Sequence, residues 1–528
     1  MHLPKATIIL SLRTYSLLML IMSEVLWCLL MLCACVWWWC SAPRRTRKLL
    51  AALPSFPQLP LLGNIHQIPR NSINLFQFLE KIAVTCDTTE MPFVFWLGPR
   101  PILFISDPED VKGVNNAFIE KPHYYSFAKV WLGNGLVVAP PEIWKNSIKK
   151  LSGTFTPSIV EGYQEVFAGR AADLVQRLKA RTTEEPFDIM HDLAYTTLEA
   201  ICQTAFGFPK ISESIVTKEY YDAFHRCLEL LIRRGLNPLL HLDFMYRLTP
   251  ASKELQKCVG ILHNVSNTVI TKLIQERECA KQDNRNEIGN NGTHNRVPNR
   301  RRFKSFLDLM LEMQVSTPEL SVEQIRSEVD TVLFGGHETV ATTLFYALLM
   351  IGRDKNLQDK LYNEVRDVVG DGGRPVTGAD LPHLRYCEAT VLETLRLFPP
   401  FPAVLRMADK DLQLSSGKCV VPRGTVCAVS AMVMGRARRL WGPDAAEYRP
   451  ERWLAPPHAQ PAAFLAFSYG RRACIGKNYA MAILKTVLAS CVRELEFTAE
   501  QAELQLKLDV VLRPASGHLL QVKTRNLK

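Results

Sequence analysis

The stretch FSYGRRACIGKNYA, residues 467–480, sets one thiol, Cys474, among glycines and arginines before the chain runs into the helix-like AMAILKTVLASCVREL. A cysteine ligates metal well only as thiolate, and nearby guanidinium groups with a following helix N-terminus lower its pKa. Gly470 and Gly476 let the backbone turn tightly and bring N–H donors close to the sulfur. No second cysteine or histidine stands at zinc spacing around Cys474, so one sulfur has to serve as the sole protein ligand. A single thiolate on iron, with four porphyrin nitrogens supplying the rest, meets that description. The competing reading is a buried free cysteine in a loop.

The full pattern Phe467-x-x-Gly470-x-Arg472-x-Cys474-x-Gly476 resembles the heme-thiolate loop of the cytochrome P-450 superfamily. The resemblance implies heme b, non-covalent apart from a Cys474–iron bond, with Phe467, Gly470, Arg472 and Gly476 around the cofactor. The rest of the chain supplies independent tests.

The 528 residues carry a net charge of +11 and a hydrophobic share of 47%, ordinary for a globular protein. The charge is spread along the chain apart from Arg44–Lys48 and Arg300–Arg302, and no nucleic-acid motif accompanies it. Such a balance suits an acidic membrane surface or an acidic partner. Of 14 cysteines, several fall in the N-terminal apolar stretch and the others are scattered, so no disulfide framework is legible and a reducing compartment is expected. Leu17–Ala42 is long and apolar enough to cross a bilayer, and it ends in VWWWC beside RRTRK. Interfacial tryptophans followed by basic residues place the body on the cytosolic side. We therefore expect a membrane anchor over 1–43, with a cleaved signal peptide as the alternative. A basic, proline-rich linker over 44–66 and one catalytic domain over 67–528 follow. The polar, Asn-rich segment 281–302 reads as a flexible insertion between helices. Sequons at Asn264 and Asn291 stay silent if the body is cytosolic.

EVDTVLFGGHETVATTLFYALLM, from Glu328, is a long apolar helix pattern with two adjacent glycines at its centre. A glycine costs about 1 kcal/mol inside a helix, and local unwinding often marks a functional site. A close-packed core helix is the plainer alternative. The sequence Gly335-Gly336-His337-Glu338-Thr339 resembles the family's oxygen-activating acid–threonine motif, which implies that Glu338 and Thr339 deliver protons. In VLETLRLFPP, Glu393 and Arg396 share a helix face that ends before Pro399. With Arg452 of YRPERW they match the family's structural Glu-Arg-Arg triad, a matter of scaffold. Arg406 of PAVLRM and Arg472 match its propionate-binding arginines. The third such contact comes from Trp-x-x-x-Arg in the family; here Trp144 is present but Ile148 stands at the arginine position, with Lys149 beside it. Many family-4 relatives esterify a heme methyl to a glutamate whose position here is Gly335.

The resemblance runs from the anchor to about residue 520, is nearest to the family-4 clan, and looks insect-like. It implies a mainly α, triangular single-domain fold with a small β-rich lobe. It implies insertion of one oxygen atom of dioxygen into an apolar organic substrate. Electrons would come from NADPH through a separate cytochrome P-450 reductase, with cytochrome b5 as a further partner, at the endoplasmic reticulum membrane. A heme-thiolate isomerase or dehydratase and a non-enzymatic heme binder are the alternatives. The pocket is expected to be lined by Ser126–Val138, the helix pair near Phe206–Met245, the central helix, Pro400–Leu405 and a turn near Ser516.

Overall fold

In the computed structural model the described residues are 44–525 apart from 61, 70, 183–184, 208–217, 289–303, 317–320, 455–460, 501–503 and 510, with 19, 22–33 and 36 before them. Helices dominate and the β content is confined to small sheets, the mainly α class expected from the sequence. One apolar core gathers the long helices, and a second lies under the sheet formed near the N-terminal side. That sheet runs in the order Phe93–Leu97, Arg100–Ile105, Val426–Ser430, Ala403–Met407, with the middle pair parallel and the outer pairs antiparallel. Val426–Ser430 is buried throughout, as a strand covered on both faces requires. Its register sets Cys427 beside Arg406 and so fixes where that guanidinium can point.

The central pattern forms two helices, Val322–Gly336 and Glu338–Arg353, separated at His337. Ser321 caps the first, its Oγ accepting from Gln324 N at 3.1 Å. At the break, His337 Nδ1 lies 2.6 Å from the Leu333 carbonyl, and the His337 carbonyl accepts from Thr197 Oγ1 at 3.1 Å as well as from Ala341 N at 2.9 Å. The pair is long and apolar enough to cross a membrane but mostly buried, which marks it as a core helix. The two glycines divide the labour. A Cβ on Gly336 would lie 2.1 Å from Ile201 Cδ1, so glycine there admits helix Met190–Phe206; a Cβ on Gly335 would meet nothing within 4 Å.

Two expectations change. The helix Pro250–Ile288 continues through the polar residues 281–288, so helical structure reaches into the segment expected to be a loop. Residues 289–302, including Asn291, lie outside the described residues, whereas Asn264 is exposed on that helix. The 44–66 stretch, expected as a stiff linker ahead of a domain beginning at 67, packs into the body. It begins as helix Arg44–Leu50, buries Leu50 and Leu53 in the sheet-side core, and is tied down where Asn64 Oδ1 accepts from Trp96 N at 2.8 Å. Of the expected anchor, the described part is the exposed apolar helix Met22–Cys33; the other residues of 1–43 fall largely outside the described set.

Glu393, Arg396 and Arg452 come together in the interior, with side chains 0%, 0% and 3% exposed. Arg396 binds both Glu393 oxygens at 2.8 Å, and Arg452 Nε reaches Oε1 at 3.5 Å. Trp453 Nε1 and Arg449 N, each at 2.9 Å, complete the carboxylate. The remaining guanidinium hydrogens of Arg396 go to the carbonyls of Gly435, Ala445 and Glu447, which pins the meander leading toward the cysteine loop. A buried charge is tolerable only with such complete pairing. Glu393→Gln is expected to cost about 3–5 kcal/mol by leaving the guanidinium groups uncompensated. Equilibrium unfolding followed by tryptophan fluorescence checks this, and a loss under about 1 kcal/mol would remove the triad's structural role.

Candidate functional site

The cysteine loop is built to present one sulfur. Ser468 and Gly470 both take the left-handed backbone, at φ 59 and 75, and Cys474 N donates to the Phe467 carbonyl at 2.8 Å across the resulting turn. Glycine is required at 470, where a Cβ would sit 2.9 Å from Asn116 Oδ1 and 3.1 Å from Asn115 Cβ. Gly476 differs from expectation: its φ of −86 suits any residue, and it serves as the N-cap of helix Lys477–Glu494. A Cβ there would stand 3.9 Å from Cys474 Sγ, so the position keeps a small group and an N–H beside the sulfur.

Cys474 is solvent-accessible, but its accessible face is the internal cavity that it lines, and protein surrounds it otherwise. Burial therefore raises the thiol's pKa, against the Gly476 N–H and the Lys477 charge. The expectation that arginines lower it is corrected. Arg472 turns from the sulfur, donating to the carbonyls of Ile119, Leu136 and Ala139 at 3.1, 3.2 and 2.8 Å and lying over Trp144 at 4.5 Å. Stabilising the thiolate is left to a bound cation such as iron.

The cavity measures about 750 Å³. Phe467, Trp144, Cys474, Arg472, Gly476, Thr339 and Gly335 all line it. Arg406 does not line it directly; its guanidinium is 1% exposed behind the wall, with Nη1 donating to Leu405 O at 3.1 Å and Nε without a partner. Ser126–Val138, the helix ending at Leu236, and Pro400–Leu405 contribute walls as expected. The C-terminal contribution is corrected from the turn at Ser516, which is exposed, to Leu508 and Asp509.

A third cation joins the two arginines, and sequence reasoning missed it. Lys121 lines the cavity, with its ammonium 4.3 Å from the centroid of the Tyr125 ring. The backbone explains its place: Met407 N donates to Glu120 O at 2.9 Å, while Arg472 holds Ile119, so Lys121 is gripped between Arg406 and Arg472. Burial first, then Arg406 and Arg472, holds the Lys121 pKa well below the ordinary range. Burial and the Arg406 charge bring Arg472 down to about 9, and burial lowers Arg406 too. Among the described residues none of these cations is ion-paired with a carboxylate. Lys149, next to the position of the missing arginine, is exposed and off the cavity. The signal for Lys121 was tertiary, since it lies in the connection between helix Pro108–Ala117 and the helical turn at His123 and meets the site through the sheet.

Thr339 faces the cavity and its Oγ1 donates to Gly335 O at 2.8 Å. Glu338 does not face it. Its carboxylate, 1% exposed, accepts from Arg513 Nη2 at 2.5 Å and lies 3.9 Å from His225 Nε2. Burial alone would raise the Glu338 pKa; His225, Arg513 and His337 outweigh it and hold the carboxyl below its usual range. His225 itself is pushed by burial to about 4 and is neutral at pH 7, so the standing positive charge is Arg513's.

The residues present fit a dianionic porphyrin. One sulfur faces the void, cations without a carboxylate partner stand at and behind its wall, and the rest of the lining is largely apolar, with Glu328 and Asp509 as its acidic members. Comparison with known proteins agrees. The family model described as Cytochrome P450 matches residues 53–522. Cytochrome P450 4V2 of Homo sapiens is 32% identical over 476 residues, 88% of each chain. Cytochrome P450 4c21 of Blattella germanica is 30% identical over 488 residues, 91% of this chain and 95% of its own. Cytochrome P450 4d1 of Drosophila melanogaster is 29% identical over 501 residues, 91% and 95%.

Proposed function

The chain belongs to the cytochrome P450 family, a heme-thiolate monooxygenase served by a redox-partner reductase, and from that premise we propose the following roles for its residues. Cys474 is the proximal iron ligand. Arg406, Arg472 and Lys121 receive the two propionates, with Lys121 supplying the charge that Ile148 lacks. The observation that carries the reading is that Lys121 and Arg472 line the same cavity as the sulfur without a carboxylate partner, with Arg406 directly behind its wall. The bound heme supplies dioxygen activation; the protein supplies ligand, orientation, protons and a dry pocket.

Thr339 is the proton-handling hydroxyl at the cavity. Its Oγ1 now donates to the Gly335 carbonyl, and by rotating it can hold a water beside the reacting centre. The uncovered backbone at Gly335 leaves room for that water. Glu338 acts from behind the wall, connecting the water to other proton sources through the backbone break at His337.

The substrate is an apolar organic molecule such as a fatty acid, a hormone or a xenobiotic, consistent with the apolar walls. NADPH-cytochrome P450 reductase supplies the electrons, with cytochrome b5 as a further donor. We place the protein at the endoplasmic reticulum membrane with a cytosolic body. The exposed apolar helix Met22–Cys33 supports this. So do Leu239, Phe244 and Leu248 in the body, exposed by 71%, 62% and 80%. The isomerase reading is weakened by the presence of Thr339 at the cavity, since such an enzyme needs no proton supply for dioxygen.

Turnover with NADPH and reductase over a panel of apolar compounds tests the activity and separates it from the isomerase and binder readings. In Thr339→Val, which keeps shape and loses the hydroxyl, NADPH consumption continues while product per NADPH falls and hydrogen peroxide rises. General acid–base groups of this kind contribute about 10²–10⁴-fold. Unchanged product per NADPH would remove Thr339 from the proton supply. Because Gly335 has no side chain to esterify, acid acetone strips the heme completely; heme migrating with the denatured polypeptide would show that another residue has bonded to it.

A further inference from the structure

A polar cluster is buried away from the cavity wall, between the central helix, helix Lys218–Leu236 and the C-terminal hairpin of Leu506–Leu508 with Leu512–Pro514. The first gives His337, Glu338 and Tyr346, the second Tyr221 and His225, the hairpin Arg513; His518 beyond it is turned to Asp188. Glu338 Oε1 is taken by Arg513, while Oε2 has no hydrogen-bond partner. The same Arg513 Nη2 lies 2.6 Å from His225 Nδ1, so His225 accepts there and its Nε2 carries the proton facing Oε2. Burial favours the neutral forms of Tyr221, Tyr346, His225 and His337. Among the described residues, Arg513 is thus the one standing positive charge in contact with Glu338. A buried carboxylate without a compensating charge takes up a proton.

We propose that Arg513 is the positioning residue of the proton supply: its guanidinium holds Glu338 ionised and turned off the cavity wall. Glu338 then carries no proton at rest. Its free oxygen accepts one from water and passes one on, so each transfer leaves the carboxylate as it was. The hairpin that carries Arg513 also walls the cavity through Leu508 and Asp509, which gives the guanidinium a fixed mount. The inference rests on the reading of Glu338 as part of the proton supply.

Infrared spectroscopy of the full-length holoenzyme reads the charge of Glu338 directly. Glu328 and Asp330, whose pKa values burial raises to about 7, also give carboxyl bands, so the R513Q spectrum is taken against R513Q/E338Q, where they cancel. One protonated-carboxyl band is expected in that difference at neutral pH. The wild type against Glu338→Gln is expected to show none. Product per NADPH, flat across neutral pH in the wild type, is expected to become pH-dependent in R513Q. Arg513→Lys keeps the charge but not the two-sided fork, so it shows no band at neutral pH and gains one on acidification; it is the variant read if R513Q does not accumulate folded. Absence of the band in R513Q at neutral pH, or in R513K on acidification where R513Q fails to fold, overturns the proposal. Unchanged product per NADPH in Glu338→Gln overturns instead the reading of Glu338 on which it rests, and leaves the infrared result to decide Arg513.

Discussion

Positive charge without a carboxylate partner, at the wall of an apolar cavity, is the constraint the rest of this structure answers. Lys121, Arg406 and Arg472 each lose hydration by burial, and Lys121 and Arg472 are further disfavoured by the positive charge of Arg406. Charges so placed are costly unless an anion completes them. The sheet register that aims Arg406, the carbonyls that hold Arg472 and the backbone clasp on Ile119–Lys121 all serve to keep that cost in place. Heme repays it with two carboxylates, and its iron repays the raised pKa of Cys474 in the same way. Cofactor and fold are therefore expected to stabilise one another.

The interior ion cluster at Glu393 shows the opposite solution, complete pairing within the protein. Arg396 spends its donors on Glu393 and on three backbone carbonyls, so no charge is left to attract a ligand. Glu338 and Arg513 sit between these cases. The pair is close, but one carboxylate oxygen remains free, and a free acceptor in a buried cluster is where a proton can be handled.

Much of the site was legible because its signals are local. The cysteine loop, the glycine pair before Glu338, the Glu393–Arg396 spacing and Arg406 beyond the proline-rich turn are each short patterns; Cys474 lines the cavity and Glu393 pairs with Arg396, whereas Arg406 lies behind the cavity wall and Glu338 faces away from it. Helix geometry alone did not fix the direction of Glu338: successive residues lie about 100° apart, yet the neighbours Thr339 and Val340 both line the cavity. Lys121, His225, Arg513 and Asp509 were not legible, since strand register and hairpin packing bring them in from distant sequence. Residues 281–288 misled because polar composition reads as loop, whereas they extend a helix already nucleated at Pro250.

The central claim is that Cys474 is the thiolate ligand of a heme in this cavity. The carbon monoxide complex of the reduced, purified protein tests it most directly, because a thiolate donor shifts the Soret band to the red and an imidazole or hydroxyl does not. The account predicts that band in the wild type and its loss in Cys474→Ser, with heme still bound to the cation cluster. A wild-type-intensity red-shifted band in Cys474→Ser would contradict it.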